Sequence, residues 1–441
     1  MNQRYFNPYI EHDISADELR KLQEQKLRKQ IEYVYHHSPF YQKKFREANI
    51  RPEQIQTLDD LKRLPFTVKD ELRASQLEHP PLGAHAAVPI EQTIRIHSSS
   101  GTTGRPTYVG VTRHDHNVWV EVMSRVFYAN GIRPHSRVVF AMGLSFFVGS
   151  AAKDGIENIG ATFIPIGTGA SDRVITSIRD LKGDVLFGTP SYAIYLANYV
   201  REKYGIEPRE LGIKLISTGA EPGGSMPEIR SRIEQDWGCK VVEAMGNADM
   251  CPVIFGECGE QNGMHFLAPD YIICEIIDPD TGETLPLTEN QTGELVYTAI
   301  DRECVPLLRF RTRDLVTVDV SPCSCGRHSF RLRCIGRTDD MLIVRGVNVF
   351  PSAIRDVVNG FYPRTTGEIQ VVLKQDPPLV HPPLPIRVEY GPEVAAEELD
   401  SLKQELERTL RDKLFFTGEV ILVPAGTLPR FEMKAKLTTR E

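Results

Sequence analysis

From about residue 90 the chain alternates short apolar runs with helix-patterned stretches, and this alternation restricts the possible folds more than any other feature. The runs include Arg137-Val-Val-Phe-Ala, Ala161-Thr-Phe-Ile-Pro-Ile, Asp184-Val-Leu-Phe and Lys214-Leu-Ile-Ser, and the helical stretches include Ser191 to Glu202 and Met226 to Trp237. Strands separated by helices imply βα units and a mostly parallel sheet. At 441 residues the chain is about three times the ~150 residues expected of one domain, so two or three domains are expected.

The flanking segments follow other patterns. Ser15 and Glu18 have the spacing of a capping box, and Leu19, Leu22, Leu27, Ile31 and Val34 recur at near-helical intervals, predicting a helix over roughly Ser15 to Ala48. Between Ile272 and Val320 the pattern turns β-rich, with Asp278-Pro-Asp-Thr-Gly as a turn, which predicts antiparallel strands or a small barrel. The last hundred residues read β-α-β-β-α-β, a small α+β domain of ferredoxin-like type in which Asp376 to Pro385 forms a Pro-rich loop. The fold class is therefore α/β, with a large body over residues 1–336 and a smaller domain over 337–441.

Composition excludes several classes of function. Hydrophobic residues are 41% and charged residues 25%, as in ordinary globular enzymes, and the net charge of −7 argues against a general grip on nucleic acid. The apolar run Val138 to Ala152 is too short to span a membrane and reads as buried strand and loop. With no signal-peptide pattern at the N-terminus, a cytoplasmic setting is expected, and the eight cysteines should be thiols or metal ligands. Homodimerisation is left open.

The segment with the clearest chemistry is His97-Ser98-Ser99-Ser100-Gly101-Thr102-Thr103-Gly104-Arg105-Pro106-Thr107. Glycines let backbone NH groups approach a phosphate, hydroxyls add donors, and Arg105 adds charge with a rigid bidentate fork. The Gly-x4-Gly-Lys spacing of a Walker loop is absent.

Ser99-Ser100-Gly101-Thr102-Thr103-Gly104-x-Pro106-Thr107 resembles the phosphate loop of the adenylate-forming acyl-CoA synthetase and luciferase superfamily. The surrounding motifs resemble its phenylacetate-CoA ligase branch: Ser38-Pro39-Phe40-Tyr41, Thr189-Pro190-Ser191-Tyr192, Gly219-Ala220-Glu221-Pro222, Arg309 to Leu315, Gly336 to Asp340, and Leu428-Pro429-Arg430 with Lys434 and Lys436. The resemblance implies an AMP-forming acid-thiol ligase that adenylates an aryl or arylacetic carboxylate with ATP and Mg²⁺, then passes the acyl group to coenzyme A. Two alternatives remain: an adenylating enzyme with another acceptor (a carrier-protein thiol, an amine or a hydroxyl), and a non-catalytic nucleotide- or acyl-binding homologue.

The same resemblance implies roles for single residues. Asp314 would bind the ribose diol; Arg337 and Asp339 would form a hinge; Gly346 would line the pantetheine tunnel; Lys434 would neutralise charge as pyrophosphate leaves, with Lys436 as fallback. The acid pocket would be built from Gly143, Phe146 and Phe147, from Ala220, Glu221 and Pro222, and from Met245, Gly246 and Asn247, and Gly219 to Pro222 with Met245 to Asn247 would also contact the nucleotide. Where the family has Tyr-Gly-x-Ser/Thr-Glu, this chain reads Met245-Gly246-Asn247-Ala248-Asp249, so an aromatic and a hydroxyl are replaced and the metal-binding acid is the shorter Asp249. Finally, Cys258-x6-His265 and Cys323-x-Cys325 supply three thiols and an imidazole, a donor set for structural Zn²⁺ if the two pairs meet in space, with Cys251 as the alternative ligand.

Overall fold

The computed structural model describes residues 4–99, 107–144, 149–345, 347–375, 377–430 and 436–441. The chain divides into two compact units, Met1–Gly167 with Val242–Arg333, and Thr168–Val241 with Cys334–Glu441.

In the first unit the N-terminal helical segment is two helices, Ala16–His37 and Pro39–Glu47, rather than one. The break follows from Pro39, whose ring forces Ser38 into extended backbone; the Ser38 side chain then caps the second helix by accepting from the Tyr41 amide. Ser15 and Glu18 form the capping box. Leu27, Ile31 and Val34 pack with Tyr41 and Phe45 against Ile273, Ile300 and Leu308 of the β-rich region. That region is antiparallel, with Ile272–Ile277 beside Thr292–Ala299, which in turn pairs with Phe310–Asp319. The Arg137–Phe140 and Thr162–Pro165 strands run parallel. Lys240–Asn247 and Cys251–Glu257 make an antiparallel hairpin that brings Asp249 to its turn, and Met264–Phe266 extends it.

The second unit pairs Val185–Gly188 with Leu215–Thr218 in parallel and carries helices Ser171–Asp180, Pro190–Tyr204 and Pro227–Trp237. Its C-terminal part has a four-stranded sheet in the order Gly418–Val423, Leu384–Tyr390, Thr365–Leu373, Thr438–Arg440. Ile354 and Val358 of helix Pro351–Asn359 pack with Leu402, Leu406 and Leu410 of helix Leu399–Leu414 on Val371, Ile386 and Val388. Each such fully buried aliphatic side chain contributes roughly 1.5–3 kcal/mol.

Two details differ from the expected strand pattern. The Leu342–Val344 strand, with its hairpin partner Val347–Val349, pairs with Leu379–Val380 in a separate sheet, and Thr438–Arg440 takes the edge of the main sheet instead. The Pro-rich loop therefore contains a short strand. Pro377, Pro378, Pro382 and Pro383 have no NH to give a ladder, so pairing is confined to the two residues Leu379 and Val380 enclosed by them. No helix among the described residues is long and apolar enough to cross a membrane.

Candidate active site

Residues 100–106 connect two antiparallel strands, Arg95–Ser98 and Tyr108–Val111, with Ser98 opposite Tyr108. The base of this connection is closed twice: the Ser99 amide donates to the Thr107 carbonyl at 3.0 Å, and the Ser99 and Thr107 hydroxyls are 2.8 Å apart. Ser99 is thereby fixed, while Ser100, Gly101, Thr102, Thr103, Gly104 and Arg105 lie outside the described residues.

Asp249 meets this base. Thr107 Oγ1 is 3.4 Å from Asp249 Oδ1, and Lys69 Nζ, at the first turn of helix Lys69–Glu78, lies 2.6 Å from both Asp249 carboxylate oxygens. Asp249 is 5% exposed, so the pair is well shielded from water. Asn247 Oδ1 accepts the Asp249 amide at 2.8 Å and holds the turn. Nearby, burial pushes the His85 imidazole down to about 4, with the Asp249 charge opposing and Lys69 adding to the effect; its Nδ1 is 3.1 Å from Ser75 Oγ. Neither Lys69 nor His85 carries a local motif, so the sequence offered no signal for either.

Met245, Gly246 and Asn247 end the Lys240–Asn247 strand. A Cβ on Gly246 would come within 2.3 Å of the Pro252 carbonyl oxygen, so the close approach of the hairpin's own backbone demands glycine there. Asp314, 8% exposed, sits in strand Phe310–Asp319 with its amide on Thr312 Oγ1. Its neighbour Arg311 is engaged by Glu294, with Nε 3.0 Å from Oε1. The Gly143 carbonyl oxygen comes so close to Gly149 that a Cβ there would be 2.3 Å away, which draws the ends of the intervening segment together. Phe146 and Phe147, within that segment, lie outside the described residues.

In the second unit, Gly219, Ala220, Glu221 and Pro222 follow strand Leu215–Thr218. The Gly219 amide donates to the Gly188 carbonyl, and Ala220 has φ +70°, a left-handed conformation that costs a non-glycine residue energy and is found most often where backbone groups are aimed for a purpose. Glu221 accepts from both the amide and the hydroxyl of Ser191, and Arg355 Nη1 donates to that hydroxyl at 2.7 Å. Arg337 and Asp339 pair with each other. Gly346 and Lys434 lie outside the described residues, but what precedes Lys434 is anchored: Glu389 accepts from the Leu428 amide at 2.6 Å and from Arg430 at 2.7 and 3.0 Å. The Thr438–Arg440 strand anchors the other side.

Cys258, His265, Cys323 and Cys325 come together in the first unit, all four buried, with their ligand atoms within 4.8 Å of one another. Cys258 and Cys323 sulfurs are 3.7 Å apart, and Cys325 Sγ is 3.3 Å from His265 Nε2. A tetrahedron with Zn–S bonds of ~2.3 Å has S–S edges of about 3.8 Å, whereas a disulfide needs ~2.05 Å. The hydrogen bond between Cys258 and Cys325 raises the first thiol and lowers the second, with burial raising both and His265 further favouring the Cys325 thiolate. Ser329 Oγ, 3.4 Å from His265 Nδ1, is placed to orient the ring.

Comparison with known proteins identifies the family of the chain. The sequence profile of the AMP-binding enzyme family matches residues 9–299, and that of the AMP-binding enzyme C-terminal domain matches residues 346–439. A phenylacetate-coenzyme A ligase of Thermus thermophilus is 37% identical over 97% of this chain and 97% of its own length; one from Escherichia coli is 32% identical over 96% and 94%. Among solved structures, 2-hydroxyisobutyryl-CoA ligase in the postadenylation state, with an acyl-AMP, aligns with TM-score 0.93 at 31% identity, covering 100% of this chain and 93% of that one. The same enzyme with 2-HIB-AMP and CoA in the thioesterification state aligns with TM-score 0.74 at 32% identity and the same coverage. The chain belongs to the AMP-binding enzyme family and has its adenylate-forming fold.

Proposed function

We propose that this chain is an ATP-dependent acid–CoA ligase that adenylates an aryl or arylacetic carboxylate and transfers the acyl group to coenzyme A, working in the cytoplasm. The observation that carries the reading is the 37% identity with a phenylacetate-coenzyme A ligase over 97% of both chains. In the first half-reaction a carboxylate oxygen attacks the α-phosphorus, the bond to the bridging oxygen breaks, and pyrophosphate leaves; in the second the CoA sulfur attacks the acyl carbon and AMP leaves as the thiol proton is lost. Residues 99–105 cradle phosphates, Asp314 holds the ribose, and Lys434 contacts the carboxylate and α-phosphate, neutralising charge that develops there as pyrophosphate leaves. Gly143, Phe146, Phe147, Ala220 and the segment Met245 to Asn247 shape the acid site. The domain from residue 337 pivots near Asp339 between the half-reactions, with Gly346 on the CoA side.

Hard oxygen donors suit Mg²⁺, which takes one or two carboxylates plus phosphate oxygens; Asp249, beside the Thr107 hydroxyl, is the carboxylate that fits. When bound, the ion would offset phosphate charge. The four-residue Cys/His cluster suits structural Zn²⁺.

The deciding experiment is carboxylate-dependent ATP–pyrophosphate exchange over aryl, arylacetic and short aliphatic hydroxy acids, with Lys434→Ala alongside, followed by CoA-dependent AMP release. Exchange with arylacetates that collapses in the variant is expected. The resemblance to 2-hydroxyisobutyryl-CoA ligase favours a second reading, a branched hydroxy acid, which the same panel separates. Absence of exchange with every acid despite ATP binding would reject both.

A further inference from the structure

Lys69 stands where a divalent cation would be expected to meet Asp249. Its ammonium is 2.6 Å from each carboxylate oxygen, and the pair is partly or fully buried, with side-chain exposures of 19% and 7%. A metal bonding to Asp249 at ~2.0–2.1 Å would have to share an oxygen with the ammonium. Two cations on one shielded carboxylate repel strongly, because little solvent screens them.

The position of Lys69 in its helix adds an independent argument. It is the first residue of helix Lys69–Glu78, where the helix dipole favours anions, and the next two residues, Asp70 and Glu71, satisfy that preference. Helix stability therefore does not account for a lysine at this site. Its counter-charge comes from Asp249, 180 residues away in sequence. The neighbouring His85 is buried and stays neutral at physiological pH, so it adds no competing positive charge.

The geometry points to Lys69 as a cation gate: it neutralises and orients Asp249 in the nucleotide-free enzyme, excludes free divalent ions, and yields the carboxylate only to a metal that arrives with the phosphates of ATP. Lys69 is thus a positioning residue acting through Asp249, and the inference rests on the reading of Asp249 as the metal-binding acid. The metal–nucleotide complex can displace it because ATP brings further oxygen ligands for the metal and a new anionic partner for the released ammonium. A free aquated ion brings neither.

The test is Mn²⁺ binding to nucleotide-free protein, followed by the loss of the free-ion electron paramagnetic resonance signal. Lys69→Met should bind Mn²⁺ at least about tenfold more tightly than the wild type, Lys69→Arg should restore weak binding, and adding Asp249→Asn to Lys69→Met should abolish the gain. Lys69→Gln, which keeps one donor toward Asp249, serves if the methionine variant does not fold. Equal affinities within twofold across wild type, Lys69→Met and Lys69→Gln would overturn the gate and leave the pair as a structural tie between helix and hairpin. The readout needs no turnover, so it separates from the ligase reading: tighter Mn²⁺ binding in Lys69→Met, with no acid-dependent exchange in the wild type, would keep the gate and reject the ligase.

Discussion

Arg337 donates Nε and Nη2 to the two carboxylate oxygens of Asp339, at 2.8 and 2.9 Å, so the residues at the proposed pivot clasp each other. Both side chains are about one-third exposed, and such pairs contribute under about 1 kcal/mol. Asp339→Ala should therefore leave the unfolding free energy within about 1 kcal/mol of wild type. Its effect should fall on the second half-reaction: overall thioester formation slows about tenfold while ATP–pyrophosphate exchange stays within about twofold. Equal losses in both assays would reject the pivot.

Ser191 both donates to Glu221 and accepts from Arg355, joining a buried acid to a buried base through one hydroxyl. Ser191→Ala removes that bridge and should cost roughly 1–3 kcal/mol, the usual penalty for leaving buried polar groups unsatisfied. Urea unfolding monitored by tryptophan fluorescence measures it, and Ser191→Thr, which keeps a hydroxyl, should recover part of the loss.

Gly246→Ala would drive a methyl group into the Pro252 carbonyl oxygen at 2.3 Å. Relief requires the hairpin to open at the turn carrying Asp249, so a loss of about 1–3 kcal/mol is expected. Because Asp249 moves with the turn, the Michaelis constant for Mg·ATP should rise more than about fivefold. A variant with wild-type stability and nucleotide kinetics would show that the hairpin yields freely.

Removing a bound metal from Cys258, His265, Cys323 and Cys325 should lower the thermal midpoint of the first unit. Elemental analysis of the purified protein is expected to find about one zinc per chain, and chelation at pH 7 should destabilise by several kcal/mol, reversibly on adding Zn²⁺. Cys325→Ser should reproduce the loss. A metal-free preparation unaffected by added Zn²⁺ would assign the cluster to thiol packing.

Glu389 gives a pH signature near the Lys434 segment. Burial opposes its charge, but hydrogen bonds from Arg430 and the Leu428 amide outweigh burial and hold the carboxyl below its ordinary 4.5. The unfolded chain then takes up the proton first, so the stabilisation is complete above about pH 4.5 and is lost as pH falls through the lower folded value. The stability difference between wild type and Glu389→Gln, measured by urea unfolding, should be constant from pH 7 to about pH 5 and shrink below that. A difference that grows on acidification would contradict the assignment.

Sequence alone determined what depends on contiguous residues. The βα alternation, the capping box at Ser15, the turn at Asp278 and the hydroxyl- and glycine-rich run from Ser99 to Thr107 are local, because periodicity and turn chemistry act over a few residues. The helix break at Ser38 was equally local, but the apolar spacing on either side of Pro39 masked it. The Cys/His spacing was legible as two pairs, and only tertiary packing brought those pairs to one point. Tertiary structure alone decided that Leu379–Val380 pairs with Ile343 and Val344, that Glu389 holds Arg430, and that Lys69 covers Asp249. Periodicity assigns each side chain to a face of its element but names no partner across the chain, and a pairing that spans 180 residues is set by how the packed elements exclude water around it.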